Sequence, residues 1–172
     1  MMSQDSSNSL HKELKLYRTS LIVFIFGLIV SGLTAFPLLV ELRALCHLMG
    51  IETPIDYQNL QGIRYWVAYV YYGLETTYAK FPFIGYGTDW LAFAHLIIAL
   101  FFIKPLVEPE TNLWVLKYGI IACICVIPLA LIAGEVRGIP IYWRLIDCSF
   151  GIFGAIPLIY CLKLAQKMGI KY

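Results

Sequence analysis

Four long stretches dominated by apolar side chains constrain the fold of this chain more than any other feature. They run over Thr19–Val40, Phe83–Ile103, Leu113–Ala133 and Tyr142–Leu162. A helix needs about 20 apolar residues to cross the hydrocarbon core of a bilayer, because each residue adds only about 1.5 Å. Charged residues make up 14% of the chain, against about 25% in a typical soluble domain. The four stretches therefore predict four transmembrane helices.

These spans predict an all-α fold, a four-helix transmembrane bundle that forms a single domain over residues 19–165. A polar N-terminal segment, residues 1–18, precedes the domain, and a basic C-terminal tail, residues 166–172, follows it. Pro37 should bend the far end of the first span, because proline cannot donate a helical hydrogen bond. Small residues should let a neighbouring helix approach closely on two spans. They are Gly27, Ser31, Gly32 and Ala35 on the first span, and Gly151 and Gly154 on the fourth.

The segment between the first two spans is rich in tyrosine. Residues 57–78 hold six of the chain's 12 tyrosines, together with Trp66, and the uncharged run there is too short to cross a bilayer. Tyrosine and tryptophan favour the headgroup layer, where one end of the ring contacts water. We therefore predict an additional interfacial amphipathic helix at about 57–80, which lies along the membrane surface and caps the bundle.

The distribution of basic residues predicts the topology. Four spans place both termini on one side, and with the termini in the cytoplasm the inner segments carry eight basic residues and the outer segments five. Because cytoplasmic segments of membrane proteins are enriched in Lys and Arg, this count favours cytoplasmic termini. Four of the five outer basic residues are arginines, whose planar fork suits carboxylates and phosphates. The five are Arg43, Arg64, Lys80, Arg137 and Arg144.

Two charges enter the fourth span at its outer end. Arg144 and Asp147 are three residues apart on one helical face, close enough to pair. Three interpretations stay open: an ion pair that fixes the helix register, a ligand-binding site, and an Arg144 side chain that extends to the lipid headgroups. We favour Asp147 as the partner of Arg144.

Asp89 lies near the start of the second span, after Gly85 and Gly87. Either Thr88 or Asp89 could cap the helix with its side-chain oxygen. Asp89 could also face inward and meet Arg144 or Arg137, and the two interpretations are compatible.

Further charged residues fall on the same outer face, beneath the tyrosine-rich helix. Each is also explained as a solvated surface charge, but their convergence on one membrane face favours a polar ligand-binding site. The candidate ligand-binding residues are Arg144, Arg137, Arg43, Glu41, Glu75 and Asp147. Asp89 and Asp147 are the candidate catalytic residues.

His95 is the only histidine within a span. A haem b site usually needs two facing histidines, and His47, the only available partner, lies at the wrong depth. We expect a hydrogen-bonded packing residue, with a haem or metal ligand as the minor alternative, and we predict no cofactor. The five cysteines are expected to be structural thiols, with a disulfide between Cys46 and Cys148 as the alternative.

Three segments carry a resemblance: GTDWLAFAH, IPLALIAG and RGIPIYWRLIDCSFG. They are similar to parts of a group of small bacterial inner-membrane proteins that lack an assigned function. The resemblance extends over about residues 19–165 and implies a bacterial four-helix membrane protein in the inner membrane. It implies no catalytic residue.

Three functions follow as hypotheses. The first is a non-catalytic binding or assembly role, as an accessory subunit whose outward Arg/Asp site engages a lipid headgroup, a small anionic ligand or a partner protein. The second is a membrane-embedded enzyme that acts on a lipid or isoprenoid-type substrate at the outer face, with Asp89 or Asp147 as acid or base. The third is a haem- or quinone-linked redox subunit that uses His95.

We favour the binding role. The expected partners are membrane lipids, further copies of the chain or partner membrane subunits. Nucleic acid is not an expected partner, because the net charge is only +2 and the chain has no basic run.

Overall fold

The computed structural model describes residues 2–52 and 54–170, with side chains of the first helix described from residue 8 onward. Within these ranges the chain forms seven α-helices and two short 3-10 turns, and no strand. The helices are α1 (Met2–Ala35), α2 (Leu38–Leu48), α3 (Gly62–Lys80), α4 (Gly85–Phe101), α5 (Ile103–Val107), α6 (Leu113–Val136) and α7 (Ile141–Lys167). The turns are Pro54–Asn59 and Pro82–Ile84.

Four helical stretches of the described residues are long and apolar enough to cross a membrane. They are Asn8–Ala35, Pro82–Val107, Leu113–Val136 and Ile141–Lys167. Each exceeds the roughly 20 residues that a bilayer core requires. The prediction of an all-helical chain with four apolar spans is confirmed, and the last helix continues five residues past the predicted end at Leu162. The end of the predicted C-terminal tail, residues 171–172, lies outside the described residues.

The first span differs from the prediction at both ends. Helix α1 begins at Met2, so the predicted polar segment is part of the first helix, in keeping with its helix-forming Lys, Glu and Leu residues. The helix ends at Ala35, five residues before the predicted Val40. Pro37 cannot donate to the preceding turn, and α2 starts immediately after it. The predicted bend at Pro37 is confirmed.

The chain divides into two compact units. Residues 28–97 form one, here called the central unit, and residues 1–27 with 98–172 form the other, the terminal unit. In the central unit α2 packs on α3, and Gly32 of α1 lies against α4. A Cβ on Gly32 would stand 2.9 Å from the carbonyl oxygen of Ala92 and 3.1 Å from Cβ of His95. The predicted close approach is confirmed at this glycine.

In the terminal unit α6 and α7 pack along each other. A Cβ on Gly151 would collide with the backbone carbonyl oxygen of Cys123, and one on Gly154 would stand 3.0 Å from Sγ of the same cysteine. Both glycines therefore permit a helix contact that a larger residue would prevent, as predicted. Tyr17 is fully buried and donates a hydrogen bond to the carbonyl oxygen of Pro105, 3.0 Å away, which anchors α1.

Helix α3 is shorter than the predicted interfacial helix. It begins at Gly62 rather than at about 57, because Pro54–Asn59 form a 3-10 turn and Gln61 is extended. Tyr57 of that turn packs against α3, with its ring centroid 5.9 Å from that of Tyr65 and 5.4 Å from that of Tyr69. The tyrosines therefore hold the turn against the helix. Whether α3 lies along a membrane surface stays a prediction.

All five cysteines are free thiols, so the alternative of a disulfide between Cys46 and Cys148 is wrong. Cys46 is buried in the core of the central unit, and this burial raises the pKa of its thiol. It behaves as a small apolar side chain, as expected for a structural cysteine.

Candidate functional site

Arg43 of α2 and Glu75 of α3, two of the predicted ligand-binding residues, meet in the central unit. Arg43 donates from Nε to the hydroxyl of Tyr71 at 2.9 Å and from Nη2 to Oε1 of Glu75 at 3.2 Å. Tyr71 in turn donates to the same carboxylate oxygen at 2.5 Å. Tyr71 was missed in the sequence, although its spacing of four residues from Glu75 places both on one face of α3.

The protonation states of Arg43 and Tyr71 are fixed at neutral pH. The hydrogen bond to Tyr71 is the largest cause of the raised pKa of Arg43, and the bond to Glu75 adds to it. Burial of Tyr71 raises the pKa of its hydroxyl, and its hydrogen bond to Glu75 raises it further. Arg43 therefore stays cationic and Tyr71 neutral. Most of the network is satisfied internally, so it connects α2 to α3, while the exposed Nη1 of Arg43 has no hydrogen-bond partner among the described residues.

Arg144 is paired with Glu135, and the expected pairing with Asp147 is wrong. Nη1 of Arg144 lies 2.5 Å from Oε2 of Glu135 and donates to the carbonyl oxygen of Leu131 at 3.2 Å. Gly134 explains this choice, because a Cβ there would stand only 2.5 Å from Cδ of Arg144. The missing side chain leaves a slot for the arginine stem, which turns back onto α6. Only 13% of the Arg144 side chain is exposed.

The other predicted ligand-binding residues have no internal partner. Glu41 and Arg137 are exposed, Asp147 is half-buried, and none has a hydrogen bond or ion pair within the described ranges. The set therefore divides between the two units, three residues in each. Their binding of a ligand stays a prediction.

Asp89 lines an open, mainly apolar groove in the central unit. The groove has a volume of about 680 Å³, and its walls come from the α1–α2 break, the end of α3 and the start of α4. Its lining residues are Phe36, Pro37, Leu38, Leu39, Val40, Tyr78, Pro82, Phe83, Gly85, Tyr86, Thr88 and Asp89. This volume falls within the range of about 300–1,000 Å³ that is usual for ligand sites.

Neither Thr88 nor Asp89 caps the second span, because α4 begins at Gly85 and both residues lie inside it. The expected cap is wrong at both positions. The Thr88 hydroxyl instead lies 3.0 Å from the hydroxyl of Tyr78, which joins the end of α3 to α4. Asp89 is exposed, and in the described part of the chain its carboxylate has neither an ion pair nor a hydrogen bond.

His95 has the predicted hydrogen bond. Its Nδ1 lies 2.8 Å from the carbonyl oxygen of Leu91, one turn earlier in α4. The described residues contain no group of three or more His, Cys, Asp or Glu side chains that could hold a metal ion. A role as a haem ligand stays a prediction.

A second groove lies in the terminal unit, with a volume of about 430 Å³. It is lined by the start of α1, the α5–α6 turn and the residues that follow α7. Arg18, Glu108 and Glu110 all contribute to its walls, so charges of both signs face it. The groove at Asp89 differs in carrying one charged residue among its twelve lining residues.

Comparison of the chain with protein-family models, with curated proteins and with solved structures finds no match. The fold itself supports the class of protein. Four helices long and apolar enough to cross a membrane are the architecture of a multi-pass membrane protein.

Proposed function

We propose that this protein is a non-catalytic lipid-binding component of a bacterial inner membrane, and that the groove at Asp89 receives one lipid molecule. The observation that carries the proposal is the groove itself. It lies where two candidate spans end, since Phe36 follows Asn8–Ala35 and Asp89 belongs to the first turns of Pro82–Val107. At this depth a bilayer changes from acyl chains to headgroups, so an apolar groove with a charged rim suits a lipid.

The groove favours binding over catalysis. General acid–base chemistry needs positioned groups that both accept and deliver a proton, and many such sites use two carboxyls. Among the described residues that line the groove, Asp89 is the only charged one. Asp147, the other candidate acid or base, belongs to the terminal unit and does not line this groove. The enzymatic alternative therefore has less support than the binding role.

In this proposal the four spans form a bundle, α3 lies along the outer membrane surface, and both termini are cytoplasmic. The count of eight inner basic residues against five outer ones supports this orientation. The resemblance to small bacterial inner-membrane proteins supports the location. The exposed guanidinium of Arg43, whose Nη1 has no partner among the described residues, suits contact with lipid headgroups.

Filling the groove tests the proposal. Val40 lines it and is 68% exposed, whereas Val136 of α6 is 79% exposed and lies outside it. Val40→Trp and the matched control Val136→Trp are purified in mild detergent beside the unmodified protein, and bound lipid is counted by native mass spectrometry. We expect one retained lipid in the unmodified protein and in Val136→Trp, and its loss in Val40→Trp. Equal retention in all three proteins, with unchanged helicity, would overturn the proposal.

A further inference from the structure

We propose that the lipid bound in the groove carries a primary ammonium in its headgroup, as an aminophospholipid does, and that Asp89 binds this ammonium. The inference rests on the proposed function, because it names the chemical class of the lipid at that site. It follows from three observations: the state of the Asp89 carboxylate, the partners of the nearby basic residues, and the aromatic lining.

The Asp89 carboxylate is the only charged group among the described residues that line the groove. Apart from Thr88, its neighbours in the lining are apolar or aromatic, and in the described part of the chain it has no ion pair or hydrogen bond. Asp89 is exposed at the groove, so its carboxylate is open to a ligand that enters the groove. Hydrogen bonds between an ammonium and a carboxylate are charge-assisted and therefore stronger than neutral ones, so the charge of Asp89 is complementary to a cationic ligand.

The central unit offers Asp89 no lysine or arginine of its own. Arg43 is held by Tyr71 and Glu75, as described above. Arg64 donates to the carbonyl oxygen of Gly50 at 3.1 Å, and the ammonium of Lys80 lies 5.3 Å from the ring centroid of Phe81. These are the only lysine and arginine residues in positions 28–97, and neither an ion pair nor a hydrogen bond joins any of them to Asp89 in the described part of the chain. The Asp89 carboxylate is therefore available to a cationic ligand.

The aromatic lining selects the same ligand. Four rings line the groove, and three of them, Phe36, Phe83 and Tyr86, are 43%, 73% and 62% exposed. Ammonium groups are attracted to aromatic faces, and acyl chains pack on the apolar remainder. A purely anionic headgroup would bring a second negative charge toward Asp89, which costs binding energy. An aminophospholipid places its ammonium at the carboxylate and its chain in the groove.

The experiment compares headgroups on the same acyl chains. The detergent-solubilised full chain is titrated with dioleoyl phosphatidylethanolamine and with dioleoyl phosphatidylglycerol, and binding is read by native mass spectrometry. We expect the ethanolamine lipid to bind about tenfold more tightly, the value of one charge-assisted hydrogen bond. Asp89→Asn should remove this preference and leave total lipid binding in place. Asp56→Asn, which changes an exposed aspartate of the same unit outside the groove, should keep it.

The outcomes that contradict the inference differ from the outcome that contradicts the proposed function. If Asp89→Asn keeps the preference, or if the glycerol lipid binds as tightly, the inference is wrong while the groove can still be a lipid site. If glycerophosphoethanolamine, which has the headgroup without acyl chains, binds as tightly as the lipid, the ligand is a small amine and the inference is also wrong. Equal lipid retention in Val40→Trp and in the unmodified protein would instead remove the proposed function.

Discussion

The contact between α6 and α7 at Gly151 makes a quantitative prediction. The Cβ of an alanine there would collide with the carbonyl oxygen of Cys123, a backbone atom that cannot move without shifting α6. Overpacking of this kind costs about 1–3 kcal/mol. Alanine also gains about 1 kcal/mol over glycine in helix propensity, which partly offsets the collision. We expect Gly151→Ala to lower the free energy of unfolding by up to about 2 kcal/mol.

A matched control isolates the collision. Gly27 also lies in a candidate span, and nothing stands within 4 Å of where its Cβ would be. Gly27→Ala therefore gains the propensity without the collision, and the difference between the two variants equals the collision alone, about 1–3 kcal/mol.

Thermal unfolding in detergent, followed by circular dichroism, measures this difference. In a chain of this size 1 kcal/mol corresponds to about 2–4 °C, so Gly151→Ala should melt roughly 2–12 °C below Gly27→Ala. A Gly151→Ala protein that melts at or above Gly27→Ala would show that the helices do not approach as closely as described.

Two further predictions concern the polar networks. Glu135→Ala should lower the free energy of unfolding by about 1–3 kcal/mol, because it leaves the largely buried guanidinium of Arg144 without its carboxylate partner. Glu108→Ala is the matched control. It breaks the exposed ion pair with Lys104 and should lower the free energy of unfolding by less than about 0.5 kcal/mol. Equal losses in chemical unfolding would refute this contrast. The pKa of Tyr71 is higher in the folded protein than in the unfolded chain, so the neutral hydroxyl contributes to the free energy of unfolding. This contribution is fully present below the ordinary tyrosine pKa of about 10 and falls as the pH rises above it. Tyr71→Phe should therefore lose less stability than the unmodified protein between pH 9 and pH 11, and a parallel loss in melting experiments would contradict the assignment.

The spans could be predicted from the sequence because their signal is local. An apolar helix of sufficient length needs no knowledge of its neighbours, since every backbone hydrogen bond is formed within the segment. The break in the helix at Pro37 could also be predicted from the sequence, because the steric effect of proline acts on its own turn. The start of α1 could not be predicted in this way, because residues 8–18 mix polar groups with good helix formers and continue a helix whose apolar part begins later.

The start of α3 was misplaced for a similar reason. Tyr57 belongs to the same run of tyrosines as the helix, but Pro54 and the extended Gln61 separate it into a turn of its own. Composition identified the aromatic segment, and backbone geometry within it decided where the helix begins. Ring contacts between the turn and α3 then join the two pieces.

The partner of Arg144 could not be predicted from spacing. A separation of three residues allows a pair within α7, but the arginine stem is long enough to cross the turn to α6. The deciding feature is Gly134, which leaves room for that stem, and a glycine in one helix does not reveal which side chain of another helix fills its slot. Such a contact depends on tertiary packing.

The length of a charged side chain therefore bears on where a binding site lies. The arginines on the predicted outer side indicate that side as the binding site, because guanidinium binds phosphates and carboxylates. Long side chains, however, also reach internal partners, and Arg43, Arg64 and Arg144 all have one. Asp89 is short, so it can pair only with groups brought to it, and its groove contains no basic side chain. In a chain with so few charges, the group left without an internal partner beside a groove is better evidence of a ligand than the group best suited to bind one.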